Sequence, residues 1–231
     1  MEISEFDKVH LKAVFNSFPI DRLKPYLAEC QKNPFAALRL YGWNTRASGA
    51  MYETLSHFEV IFRNRIDEAL ASRHTFKKRP GDWLDDTNNE FTEKASSAII
   101  EAKARAQEGF GQVRPPRGRV IAELNLGFWR RLIDSRYDSV HGSAVMRLFP
   151  TLKRNTNENM ENLRQLVEPL YALRNRIAHQ EPVWEINLGA RRDDAIALIG
   201  LVDGQAAIWT ANECRINDLL NEKRGPSFSG F

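Results

Sequence analysis

An all-α fold is the class this sequence predicts, and three observations predict it. Apolar residues recur at three- and four-residue spacings along most of the chain, two-residue alternation is almost absent, and the periodic stretches are bounded by capping residues, prolines and glycines. The 231 residues are 42% apolar with 13 Gly and 10 Pro, which excludes a disordered, collagen-like or low-complexity chain and leaves ample material for a core. One domain spanning residues 1–231 is expected.

The elements follow in chain order. Asp21 to Gln31 reads as a short helix capped by Asp21. Pro34, at a first-turn position where its missing N–H costs nothing, opens a long helix to about Ser72. Its buried stripe is Met51, Leu55, Phe58, Phe62, Ile66 and Ala69, and its weak point is a break between Asn44 and Gly49. From His74 to Asp86 a polar loop is anchored by Trp83 and Leu84. Thr87 and Glu90 have the form of a capping box opening a helix to about Glu108. Gly109 to Gly118, with Pro115-Pro116, is the clearest linker. Further helices are expected over Val120 to Ser135, Ser139 to Leu148 and Thr156 to Ala178. The last holds Pro169, expected to kink it, and stops before Pro182. Arg192 to Leu201 and Gln205 to Asn221 complete the set, and residues 222–231 read as a frayed tail.

Composition and charge narrow the function classes. The net charge of +3 is too small to argue for nucleic acid by itself. It is uneven, however: Lys103, Arg105, Arg114, Arg117, Arg119, Arg130, Arg131 and Arg136 are opposed locally only by Glu108, Glu123 and Asp134. Two readings stand, a solvated face or a phosphate-tracking surface in which Arg117, Arg119 and Arg130 contact RNA. Cys30 and Cys214 lack metal or redox spacing and fit a reducing cytoplasm. The acidic N-terminus is not followed by an apolar run, and the longest apolar stretch, Ala195 to Val202, falls well short of the roughly 20 residues of a membrane helix. A soluble, cytoplasmic protein without membrane contact is expected. His10, His57, His74 and His141 share no ligand spacing, and no phosphate-binding glycine loop or nucleophile elbow occurs, so neither a metal nor another cofactor is expected. The five tryptophans read as core residues rather than base-stacking platforms.

One segment carries chemistry. Leu163, Leu166, Leu170, Leu173 and Ile177 form the inward stripe of the Thr156 helix, which leaves Asn175 and His179, four apart, on the far face and Arg174 at the flank. The negative end of the helix dipole favours a protonated His179, and a proton donor near neutral pH is what acid catalysis needs. Cations near a helix C-terminus are also common for purely structural reasons, and spacing alone leaves both readings open.

The sequence from Leu173 to Pro182, LRNRIAHQEP, resembles the R-x4-H signature of HEPN domains, and more particularly of their Abi-like (abortive infection) branch. Further blocks are similar to that family in the same order: Arg22 to Leu27, Ala37 to Asn44, Leu55 to Asn64, Leu126 to Trp129 and Phe149-Pro150. The likeness covers about residues 20–220. It implies a HEPN-like helical bundle with additional helices, pairing as a homodimer in which two motifs face one shared cleft, and cutting RNA without a metal. It implies His179 as acid or base, Arg174 as the clamp for phosphoryl charge and Asn175 as an orienting residue. Arg176 would be a second phosphate contact or a solvated residue. Glu59 and Arg63, spaced as an i,i+4 ion pair on the long helix, would be either a helix-flank pair or supports that hold Arg174 or His179. The expected function is a metal-independent RNA endonuclease acting as a toxin or phage-defence effector. The alternative is a catalytically silent RNA- or nucleotide-binding module. An antitoxin protein or a small regulatory RNA is the kind of controlling partner such an effector would have.

Overall fold

The computed structural model describes residues 5–85, 89–111, 113–149 and 156–224, and among these it is all-α, with no strand. Eleven α-helices follow in order among the described residues: α1 (Glu5–Asn16), α2 (Ile20–Glu29), α3 (Pro34–Phe76), α4 (Glu93–Gln107), α5 (Arg117–Glu123), α6 (Leu126–Leu132), α7 (Ser143–Met146), α8 (Thr156–Ala178), α9 (Leu188–Val202), α10 (Gly204–Glu213) and α11 (Ile216–Arg224). The chain forms two compact units: one comprises residues 1–54, 173–192 and 213–231, the other residues 55–172 and 193–212. Both α3 and α8 contribute residues to each.

In the first unit Trp43, 1% exposed, anchors α3 by donating its indole N–H to the Leu219 carbonyl of α11 (2.9 Å). Tyr26 of α2 packs edge-on against Tyr41 (5.1 Å between centroids) and against Trp184 (4.6 Å). In the second unit the α3 stripe is buried as its spacing predicts, from Leu55 through Phe58, Phe62 and Ile66 to Ala69. Ile99 and Ala102 of α4, Phe128 and Trp129 of α6, and Leu163, Val167 and Leu170 of α8 are buried in the same unit.

Several boundaries differ from the sequence expectation. The expected break at Asn44 to Gly49 does not occur. A Cβ on Gly49 would meet nothing within 4 Å, and the burial of Ala47, Ala50 and Met51 outweighs the roughly 1 kcal/mol that glycine costs a helix. The N-cap of α4 is Thr92, whose side chain accepts from Ala95 N–H, rather than Thr87, which lies outside the described residues. Glu90 is instead held by arginines. The helix expected over Val120 to Ser135 is two helices, because Asn125 caps a new start by accepting from Phe128 N–H (3.0 Å) and Trp129 donates to the Leu124 carbonyl at the break (3.0 Å). Gly127 fits tightly there: a Cβ would lie 3.1 Å from the Tyr171 hydroxyl, which would have to shift by a few tenths of an ångström. The Ser139 to Leu148 helix is a π-turn, Asp138–Gly142, followed by the short α7. The Gln205 to Asn221 helix is interrupted between Glu213 and Ile216. The first expected helix starts at Ile20 after Pro19, with Asp21 in its first turn beside Lys24 (2.5 Å), and α1 precedes it unannounced. The expected tail lies mostly outside the described residues, and Pro169 stands inside α8, which continues past it to Ala178.

Candidate active site

Helix α8 carries the motif, and its inward stripe is Met160, Leu163, Val167, Leu170 and Leu173, each at most 1% exposed. Val167 takes the fully buried place that the leucine spacing assigns to Leu166, which is half-buried. Ile177 is half-buried as well. Away from the stripe, Arg174 and Asn175 are half-buried and His179 is exposed. Asn175 and His179 make no side-chain hydrogen bond or ion pair among the described residues, so both amide and imidazole remain available to a ligand or a partner.

The end of α8 is built with unusual care. Gln180 adopts φ +55°, the left-handed conformation that normally selects glycine. Its N–H donates to the Ile177 carbonyl (2.9 Å), and Glu181 N–H reaches back to the Arg176 carbonyl (2.8 Å), which together make a Schellman cap. Three side chains then fix the turn. Arg176 donates to the Pro182 carbonyl (2.7 Å) and lies 3.6 Å from the Glu181 carboxylate. The Asn44 side-chain carbonyl accepts from Val183 N–H (2.7 Å) in a buried setting, and Arg22 donates to the Gln180 side-chain carbonyl (2.8 Å). His179 is therefore the exposed residue directly after Ala178, at a clamped helix end. Arg176, expected as a phosphate contact or a solvated residue, is part of the clamp. Arg22 and Asn44 belong to blocks of the family resemblance, yet nothing in the sequence assigns them this task.

Glu59 and Arg63, both half-buried, lie in the second unit, whereas the motif belongs to the first. Arg63 forms no ion pair among the described residues, and its Nε is buried without a hydrogen-bond partner, so the i,i+4 pair expected from spacing is not made.

Several cations of the basic segment are matched by carboxylates, those of Arg117 and Arg130 distant in sequence. Arg117 donates to both oxygens of Asp67 (2.8 and 2.6 Å) and to Asp82 (2.5 Å), and these carboxylates hold its guanidinium well above the usual arginine range. Asp67 also accepts from the Trp83 indole (2.8 Å). Lys103 pairs with Asp85, Arg105 with Glu123 and Arg130 with Glu168. Arg119 differs: it is exposed, with only a 3.4 Å bond to the Glu108 carbonyl and the Phe110 ring 5.1 Å below its guanidinium. Among the described residues no three His, Cys, Asp or Glu side chains stand together as a metal site, and no helix is long and apolar enough to cross a membrane. No family model, curated protein or solved structure matches the chain in comparisons with each.

Proposed function

We propose that the protein is a metal-independent RNA endonuclease of the Abi-like HEPN type, with His179 as the proton carrier. The observation that carries this reading is the unengaged pair of half-buried Asn175 and exposed His179 on a helix end that Arg22, Asn44 and Arg176 hold in place. A catalytic group needs a fixed base and an open face, and this helix end offers both.

RNA supplies its own nucleophile. The 2′-OH attacks the adjacent phosphorus, the bond to the 5′-oxygen breaks, and a 2′,3′-cyclic phosphate and a 5′-hydroxyl result. The protein must take a proton from the 2′-OH or give one to the departing 5′-oxygen, and His179 does so. Arg174 neutralises charge growing on the phosphoryl oxygens, and Asn175 orients the phosphate or the imidazole. A motif face turned away from its own core is completed by a second copy, so the active form is a symmetric homodimer with α8 at or near the two-fold axis. Such an enzyme acts as a toxin or phage-defence effector, controlled by an antitoxin protein or a small RNA.

Incubation of the purified protein with total RNA in excess EDTA tests the reading. Cleavage that leaves cyclic or 3′-phosphate ends beside 5′-hydroxyls is expected. Products with 5′-phosphates, or activity abolished by chelator, would refute the mechanism. Binding of RNA without any cleavage would favour the silent binding module.

A further inference from the structure

A cleft of about 230 Å³ opens in the first unit between α2, α3 and the end of α8, beside the clamped turn. Its polar lining consists chiefly of donors. Arg22 brings a guanidinium with one of its N–H groups used by Gln180. The side-chain carbonyl of Asn44 is taken by Val183 N–H and that of Gln180 by Arg22, so each amide has its NH₂ group left to offer. Thr45 gives its hydroxyl hydrogen to the Tyr41 carbonyl (3.1 Å). No carboxylate lines the cleft.

Two hydroxyls there are orphaned. Tyr26 is 1% exposed and its phenolic oxygen has no hydrogen-bond partner among the described residues; the same holds for the buried Ser48 hydroxyl oxygen. Buried polar groups are almost always satisfied, so two orphans among the residues lining one cleft point to a partner that the fold itself does not supply. Burial pushes the Tyr26 phenol up to about 12, which keeps it a neutral donor at ordinary pH.

We propose that this cleft is a binding site for a small phosphate monoester, whose oxygens accept from Arg22, Tyr26 and Ser48 while its carbon body lies along Ile177 and Tyr41. The lining has one cation, many donors and no competing anion, and a monoester dianion with three acceptor oxygens is the complementary charge and hydrogen-bonding pattern. The site does not depend on the nuclease reading. The same chemistry is offered by a free sugar phosphate and by the 5′-phosphorylated end of an RNA.

Isothermal titration of the full chain with ribose, ribose 5-phosphate, and RNA hexamers with and without a 5′-phosphate tests the site. Ribose 5-phosphate is expected to bind and ribose not. Selective binding of the phosphorylated hexamer would identify an RNA end as the source, and equal weakness of both hexamers a free metabolite. Tyr26→Phe removes only the hydroxyl and keeps the ring packing, so it should weaken ribose 5-phosphate roughly tenfold at an unchanged melting temperature, as should Arg22→Gln, whose loss is the larger. No heat with ribose 5-phosphate at about 10 mM, equal affinity for ribose, or undiminished binding by Tyr26→Phe would overturn the proposal. Binding is read without cleavage, so binding by an inactive protein sinks only the nuclease reading, and cleavage without binding sinks only the cleft.

Discussion

Arg117 in the second unit meets Asp67 and Asp82, while in the first unit the exposed His179 and half-buried Asn175 make no side-chain hydrogen bond or ion pair among the described residues. Both stretches are cationic in sequence, and the difference lies in what tertiary structure sets opposite them. Around Arg117, carboxylates 35 and 50 residues away absorb the charge. Around His179, the neighbouring polar groups secure the turn and leave the imidazole clear: Asn44 and Arg176 bond main-chain groups, and Arg22 bonds the Gln180 side chain. A local excess of arginine thus gives little information about an available surface, whereas an unengaged group on a rigid support gives a good deal.

The comparison can be broken first at the densest ion cluster of the second unit. Glu90 lies between Arg73 and Arg79, with all three side chains less than a fifth exposed. Glu90→Gln leaves two largely buried guanidinium groups without their counter-charge, and a loss of about 3 kcal/mol is expected in urea unfolding. RNA cleavage per folded molecule should not change. In the first unit, Asn44→Ala strands the buried Val183 N–H and should cost about 2 kcal/mol. Unlike Glu90→Gln it should also lower cleavage, since it loosens the turn that carries His179. Equal effects of the two variants on cleavage per folded molecule would erase the distinction between the regions.

Acid sharpens the same contrast. The two arginines hold the Glu90 carboxyl well below its usual range, so its contribution is fully present above about pH 4.5 and is lost as pH falls through and below that value. Burial lowers the pKa of His141, whose ring lies 2.7 Å from the Leu132 carbonyl. The unfolded chain therefore takes up a proton below about pH 6.5 that the folded chain resists, and stability falls from that pH downward. Urea midpoints between pH 8 and 5 should decline, and His141→Gln should flatten the decline. An unchanged slope would show that other groups dominate.

The smallest effects are expected at the surface. Arg117→Gln should cost about 1 kcal/mol or less and leave the salt dependence of RNA binding unaltered, because its donors already serve Asp67 and Asp82. Arg119→Gln should leave stability unaltered and reduce the salt slope by about one counterion. The reverse pattern, read from binding isotherms at several salt concentrations, would restore Arg117 as a phosphate contact.

How much of this was legible in the sequence depends on the range of the interactions. Helix α8 could be read to the residue, from Thr156 to Ala178, because a strong apolar period and the following Glu181-Pro182 are local signals. The α3 stripe was legible for the same reason. Helix α1 was not, since it lacks a clean buried stripe: Val9 is 70% exposed and Val14 38%, and Leu11 and Phe15 are only half-buried. The split at Leu124-Asn125 was missed because an asparagine cap sits inside a continuous apolar pattern. At the site, Asn175 and His179 could be placed on one outward face by angular arithmetic alone. Arg22 and the Tyr26 cleft could not, because Arg22 and Gln180 are 158 residues apart and only packing brings them together.

The central claim is that His179 moves the proton in RNA cleavage, and a single comparison addresses it most directly. The parent protein and His179→Ala, matched for melting temperature and oligomeric state, are incubated with the same RNA in EDTA and the initial rates measured. His179 is exposed and its side chain holds nothing in the fold, so the variant should fold and pair as the parent does while cleavage falls roughly 10²-fold or more. A variant that cleaves as fast as the parent would contradict the account.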